Sequence, residues 1–320
     1  MPTTTDPMRE AAEVAVAAPS IFNTQPWRWQ ATRTELRLWA DHSRQLMVAD
    51  PEGRMLTISC GVALHHARVA LAAAGHDATV QRVPDDGDPD LLAEIRIGGF
   101  HQPTSAERTM RLAITVRHTD RRAFMPEGVP GELSAELVDA AEAQGAHLHL
   151  VRKSEIATLA LAAVRADALQ LSDPDYRGEL IRWTHRPSWS GDGVPAATAV
   201  QRSPRAVPVR DFVPFGQPAQ QPGTHTDHGA LYALIFTDQD TPLAWLQAGE
   251  ALSAVLLTAT AHGLATAPIS DVTELAVTRQ ELAHLLAGIG VPQLAVRVGW
   301  PPPGGPPAAP RRHASEIIYP

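Results

Sequence analysis

Three features of the 320-residue sequence predict an α+β fold. Segments with helical spacing of apolar residues alternate with short β-prone segments. The same order of elements is met twice along the chain. With 44% hydrophobic and 19% charged residues, the chain can also bury a sizeable core, in one large domain or two smaller ones.

Asp6-Pro7 is an N-cap and first-turn pair, and the Ala-rich run Met8 to Ala18 stops where Pro19 disfavours further helix. Trp27 to Ala40, with alternating Leu36, Leu38 and Ala40 after Thr32 to Thr34, reads as a hairpin. A helix over Ile58 to Ala74 ends at Gly75, Leu92 to Ile97 reads as a strand, and a polar loop closes the first half. In the second half a helix over Glu132 to Gln144 ends at Gly145, and His147 to Val151 alternates like a strand. Helices over Ser154 to Leu171 and from Asp173-Pro174 to Trp183 follow. Next come a strand at Tyr232 to Thr237, a buried helix at Leu246 to His262 ending at Gly263, and a strand at Gln293 to Val298.

Gly61-Val-Ala-Leu64 followed by Gly75 matches Gly249-Glu-Ala-Leu252 followed by Gly263 at the same spacing. Ile95-Arg-Ile-Gly98 likewise matches Val296-Arg-Val-Gly299, each strand downstream of its helix. Ala-rich helices resemble one another by chance, but agreement in both sequence and order favours an internal duplication. The expected repeats span 1–108 and 109–320. The Pro-, Gly-, Gln- and Asp-rich stretch 186–228 interrupts the second copy and is too long for an ordinary connection, so it reads as a lid. The Pro-Gly-rich stretch 300–320 reads as an extended arm of a kind that wraps a neighbour.

Composition removes several classes of function. The 27 basic and 35 acidic residues give a net charge of −8, and the basic ones are scattered, so no nucleic-acid footprint is visible. Apolar stretches such as Ala251 to Ala261 fall short of the ~20 residues of a membrane span, so no membrane partner is expected. Asp6, Arg9, Glu10 and Glu13 do not make a secretion signal, which leaves the cytoplasm as the expected compartment. A single cysteine, Cys60, rules out cysteine-rich zinc and iron–sulfur sites and fits a buried core position. Lys153 is the one lysine, so pyridoxal-phosphate chemistry would rest on it alone, and any anion site must use arginine. Neither a Gly-x4-Gly-Lys-Ser/Thr loop nor a Gly-x-Gly-x-x-Gly turn occurs. His65-His66, His147 with His149, and His225 with His228 near Asp227 lack a third-ligand pattern, and no metal is assigned.

Two strings carry the chemistry. Pro19-Ser-Ile-Phe-Asn-Thr-Gln-Pro-Trp27 presents a hydroxyl and two amides on a proline-stiffened backbone, with Arg28 just beyond. Arg117-His-Thr-Asp-Arg-Arg-Ala-Phe124 sets three arginines and a threonine hydroxyl before a Pro/Gly turn, and guanidinium forks match phosphate oxygens. Taken alone, each has a plain alternative: a turn that satisfies its own backbone, or a solvated basic loop paired with Asp120 and Glu127.

Together with Gly263-Leu-Ala-Thr-Ala-Pro-Ile-Ser-Asp-Val-Thr-Glu274, these strings resemble the Acg branch of the FMN-binding nitroreductase superfamily over nearly the whole chain. The resemblance implies a nitroreductase-like fold, a mixed central sheet flanked by helices, with two tandem repeats imitating the family homodimer. It implies one FMN per chain, because the Pro-Ser-x-x-Asn string stands in the first copy and the arginine string in the second. By the same resemblance Arg117, Thr119 and Arg121 hold the phosphate and nearby flavin edge, with Arg311 or Arg312 closing the phosphate pocket. Ser20, Asn23, Gln25 and Arg28 meet the ring or ribityl chain, and Pro268, Ile269 and Ser270 lie on the ring's other side. Threonine replaces the family's serine, and Phe124 lies one residue later than in the common pattern, which leaves the roles of Arg121 and Arg122 exchangeable.

The implied activity is hydride transfer from NAD(P)H through flavin N5 to a nitroaromatic, quinone or similar small acceptor, without a catalytic side chain. The lid supports an alternative, an FMN store or sensor with little or no turnover. Trp183, Trp189 and Phe212 read either as lid aromatics over the ring or as ordinary packing. Monomer and homodimer both remain open.

Overall fold

The computed structural model describes residues 6–84, 87–214, 216 and 218–320; Phe215 and Gln217, inside the expected lid, lie outside the described residues. The first helix, α1 (Pro7–Ala15), begins where the Asp6 carboxylate accepts from Met8 N at 3.0 Å. Strands β1 (Trp27–Ala31) and β2 (Glu35–Ala40) form the expected hairpin, in register from Trp27↔Ala40 to Ala31↔Leu36. Helix α2 (Arg54–Ala73) starts earlier than expected, because the buried Asp50 carboxylate accepts from Met55 N at 3.0 Å and Leu56 N at 2.8 Å and so caps the first turn. Strand β3 (His76–Arg82) was not expected, and β4 (Leu91–Phe100) extends the expected Leu92–Ile97.

Where the sequence reads as a polar loop, α3 (Ser105–Val116) forms behind a capping box of Thr104 and Glu107. It runs across the expected 108/109 boundary, which is therefore no break in secondary structure. Helix α4 (Gly131–Glu142), strand β5 (His147–Leu150), helices α5 (Ile156–Ser172) and α6 (Pro174–Thr184), and strand β6 (Leu231–Thr237) follow close to their expected bounds. Helix α7 (Pro242–Ala261) leads to β7 (Ala265–Ile269), short helices α8 (Asp271–Glu274) and α9 (Ala276–Ala283), strand β8 (Val291–Gly299) and finally β9 (Ile318–Tyr319).

Among the described residues the strands fall into two sheets, ordered β3-β4-β2-β1-β9 and β7-β8-β6-β5. Reading the elements in parallel, β1, β2, β3 and β4 take the same places in the first sheet as β5, β6, β7 and β8 in the second, all joined antiparallel. Strand β9 adds to the first sheet parallel to β1, which makes that sheet mixed. The arm thus returns to its own chain, where Trp29 N donates to Ile317 O at 2.7 Å. Its middle is held by Arg122, which donates to the carbonyls of Pro303 and Gly304.

Between the sheets α2 packs against α7, and one apolar core draws on both helices and both sheets. The helices touch at Gly61 and Gly249. A Cβ on Gly61 would collide with Leu246 O, and one on Gly249 with Ile58 O, so both positions need glycine for close approach. By length and composition α2 and α7 could cross a membrane, which the shorter Ala251–Ala261 stretch did not suggest; both are largely buried here against one another. The connections differ between sheets. Thr32 to Thr34 link β1 to β2, whereas residues 151–230, including α5, α6 and the 186–228 stretch, link β5 to β6.

Candidate functional site

A cavity of about 230 Å³ lies where the chain leaving α1, the end of α3 and the arm converge, walled by Ser20, Asn23, Arg117 and Arg311. Pro19, Ser20, Phe22, Thr119 and Arg121 also wall a second chamber of about 90 Å³. That chamber rests on Ile58 and Val62 of α2 and Leu252 of α7, with Pro268 and Ser270 on its far side. One lobe is cationic and the other mostly apolar.

Backbone strain marks the first string: Phe22, Asn23 and Gln25 have φ of 45°, 55° and 50°. Ser20 Oγ accepts from Gln25 N at 2.8 Å, which closes the turn. Asn23 Nδ2 donates to Gly193 O at 3.1 Å and Pro310 O at 3.0 Å, tying the 186–228 stretch to the arm. Gln25 Nε2 donates to Gly191 O at 2.8 Å, and its Oε1 accepts from Arg312 N at 2.9 Å. Gln25 is fully buried in this bracket and lines neither chamber, contrary to the expected ligand contact.

Arg117 caps α3 and is buried, with Nε and Nη1 lacking any hydrogen-bond partner. Burial, reinforced by the charge of Arg311, pulls its guanidinium down to about 9. Arg311 donates from Nη1 to Asn23 Oδ1 at 3.0 Å and from Nη2 to Ala17 O at 3.0 Å, and burial pulls it down to about 10. Neither guanidinium meets a carboxylate among the described residues, so two desolvated cations share one wall of the cavity. An anion there would restore what burial has cost them. This donor set fits a phosphate.

Long-range contacts hold the arginine string in place. Thr119 bridges to Thr266, and Asp120 N donates to Thr266 O at 3.0 Å, stitching the string to β7. Arg297 of β8 donates from Nη2 to Asp120 O at 2.8 Å and Arg122 O at 2.9 Å, while its Nη1 pairs with buried Asp227. Asp227 also accepts from Phe124 N at 2.6 Å. Far from serving a metal with its flanking histidines, Asp227 positions this loop. No group of three His, Cys, Asp or Glu side chains suited to a metal occurs among the described residues. Cys60 is buried, its Sγ donating to Pro26 O at 3.2 Å, and burial pushes its thiol well above the ordinary value.

Ser20, Asn23, Arg117, Thr119, Arg121 and Arg311 line the joined chambers, and Pro268 and Ser270 face the second of them. Ile269 is set one step further along, in an adjoining space. Two expectations fail. Arg28 is exposed on β1, because strand alternation buries Trp27 and Trp29 and turns the residue between them outward. Arg312 turns away toward Glu316 and the Gln25 carbonyl, which leaves Arg311 as the arm's arginine in the pocket, beside Pro307, Ala308 and Ala309. Arg121 lines the chambers, and Arg122 pairs with Asp120 and fastens the arm.

The 186–228 stretch supplies walls that the sequence did not assign. Gly193, Val194 and Thr198 line the cationic lobe, and Phe212 lines the apolar one. Phe212 meets Phe22 edge to face at 5.7 Å and lies 4.5 Å from the Arg121 guanidinium carbon. Of the three aromatics considered, Trp183 is instead flanked by Arg44 and Arg186, and Trp189 is 85% exposed. Buried Asp192 pairs with Arg44 and Arg186 and anchors the stretch over the pocket. Those two cations help hold its carboxyl at about 2 against burial.

No family model matches the chain. It is 40% identical over 315 residues to "Putative NAD(P)H nitroreductase Rv3131" of Mycobacterium tuberculosis strain H37Rv, covering 97% of this chain and 90% of that protein. It is 35% identical over 320 residues to "Putative NAD(P)H nitroreductase acg" of the same strain, covering 99% and 96%. Among solved structures, a nitroreductase with bound FMN from Desulfitobacterium hafniense aligns at 16% identity and a TM-score of 0.42, covering 66% of this chain and 97% of that one.

Proposed function

The chain belongs to the Acg branch of the nitroreductase superfamily, and on that premise we propose that it is an FMN-dependent NAD(P)H oxidoreductase holding one flavin in the joined chambers. The observation that carries this reading is the pair Arg117 and Arg311, buried without a carboxylate beside a mostly apolar chamber. Arg117 and Arg311 hold the phosphate, with the Thr119 hydroxyl beside them. Ser20, Phe22, Pro268 and Ser270 bound the ring, and Arg121 sets positive charge against its reduced form. When bound, FMN supplies hydride transfer through N5 from NAD(P)H to a nitroaromatic, quinone or similar small acceptor.

The single site follows from an internal duplication, with repeats near 1–108 and 109–320. The shared strand order and the reciprocal contact of Gly61 with Gly249 support it. One observation favours a second reading: the stretch pinned by Asp192 covers the pocket, as a sequestering lid would. Anaerobic mixing of the FMN-loaded chain with NADH and NADPH separates the two. Rapid bleaching of the flavin is expected of the oxidoreductase; persistent oxidised absorbance, restored to bleaching when Asp192→Ala releases the stretch from Arg44 and Arg186, is expected of the store. A chain that takes up no FMN overturns both.

A further inference from the structure

The pocket does not stop at the ring-side chamber. A space of about 50 Å³ shares Arg121, Phe212, Pro268 and Ser270 with it. That space in turn shares Val209, Arg210 and Asp271 with a cavity of about 200 Å³ beneath α5. Val164 and Arg202 at the outer end are exposed, so the three spaces lie in series between the surface and the ring side. This series is separate from the phosphate end.

Charge along the series is uneven. The small inner space is lined by Arg121, Arg210 and Arg297 against one carboxylate, Asp271. Arg297 is committed to Asp227 and to backbone carbonyls. Arg210, with its side chain only 7% exposed, donates from Nη2 to Glu274 at 2.6 Å, and Glu274, Tyr176 and Asp271 keep it charged against burial, while its buried Nη1 has no partner among the described residues. Arg121 donates to Thr198 O at 3.2 Å and pairs with no carboxylate among the described residues. Burial and the neighbouring Arg210 pull it down to about 10, so its charge is under-compensated. Both guanidinium groups lie over the Phe212 ring, Arg121 at 4.5 Å and Arg210 at 5.7 Å from its centroid. A planar aromatic ring bearing a two-oxygen anion matches both the wall and the donors.

We propose that the inner space receives the carboxylate group of an aromatic electron acceptor, whose ring lies in the adjoining ring-side chamber, and that the acceptor enters beneath α5 and is recognised by Arg210 together with Arg121. The inference deepens the oxidoreductase reading and rests on it. Its test reads binding rather than turnover. Isothermal titration compares 4-nitrobenzoate with its neutral isostere 4-nitrobenzamide on the oxidised FMN-loaded chain. The benzoate is expected to bind about tenfold or more tightly, as one charge-assisted hydrogen bond provides. Arg210→Gln is expected to abolish that preference and Arg210→Lys to keep most of it. Val164→Trp, at the mouth and clear of the flavin chambers, is expected to slow benzoate association in stopped flow while FMN content stays unchanged. Equal binding of the two probes, or a preference that survives Arg210→Gln, overturns the subsite even if NADPH bleaches the flavin. Unaltered association in Val164→Trp overturns the route. If the chain takes up no flavin, the functional reading falls by itself, and the same titration on the flavin-free chain still decides the subsite.

Discussion

The two seams of the α2–α7 pair begin alike and end in opposite electrostatic states. Val62 follows Gly61 and forms a wall of the apolar chamber; Glu250 follows Gly249 at the matching step and is fully buried. Ser270 faces the chamber at the same distance beyond Gly263 as Arg82 lies beyond Gly75. On that other side Glu250 accepts from Arg68 Nη1 at 2.6 Å and from Arg82 Nε at 2.5 Å, and Arg68 also reaches Gln144 at 2.7 Å. One seam is filled by a buried anion clamped between two cations. The other keeps two cations apart from any carboxylate around a cavity. A desolvated charge must be balanced: at Glu250 this happens inside the chain, whereas no carboxylate among the described residues does it at Arg117 and Arg311, which the proposed FMN phosphate would do.

The largest effect should come from unbalancing the filled seam. Glu250→Gln leaves Arg68 and Arg82 without their carboxylate, and urea denaturation should show a loss of about 3–5 kcal/mol with FMN stoichiometry unchanged. Replacing all three by apolar residues should recover most of that loss. If Glu250→Gln were nearly neutral, the seam would not be held by this triad. On the open side Arg117→Ala should weaken FMN binding by about 1.5–3 kcal/mol, measured by flavin fluorescence titration. Unchanged affinity would remove Arg117 from the site. At the crossing that both seams share, Gly61→Ala forces a Cβ into Leu246 O and should cost about 1–3 kcal/mol of stability in the same denaturation assay.

pH offers a gentler test of the open seam. A phosphate binds the charged form of Arg117, so affinity should hold steady from pH 7 to about 9, the value of the ligand-free group. Above that pH the cation must be regained on binding, and affinity should fall, by up to about tenfold per pH unit for one linked proton. A flat profile through pH 10 would mean that Arg117 keeps its proton there even without the ligand. Smallest of all, Arg28→Ala should leave FMN affinity within about twofold, since an exposed charge of this kind contributes little. A larger loss would return Arg28 to the site.

Much of the fold was legible because it is periodic. The Trp27–Ala40 hairpin, the long helices and the glycine-spaced repeat carry their own spacing. Strand β3 escaped because it alternates among polar residues at a sheet margin, His76 to Arg82, with no large apolar side chain but Val80. The α3 signal was present as Thr104 three residues before Glu107, yet the segment's polarity concealed it. Even Arg28 could have been placed, since two tryptophans flanking one position in a strand send that position outward. Phe212 reads from the sequence as a candidate lid aromatic, but Arg210 and the loop-holding role of Asp227 could not be placed. Each acts through a partner more than 60 residues away, Asp227 with Phe124 and Arg210 with Glu274, and local sequence holds no trace of such pairs. The amides of Asn23 and Gln25 were expected to meet a ligand, but they largely secure the backbones that frame the cavity.

Asn23 and Arg311 meet across 288 positions of sequence. During synthesis the first leaves the ribosome many seconds before the second, at ordinary rates of elongation. Throughout that interval the earlier sheet can pair internally, but one of its two phosphate-facing cations has not yet been made. On the proposed phosphate role of Arg311, flavin capture waits until residue 311 is made, and a nascent chain arrested before it should emerge folded in part and colourless.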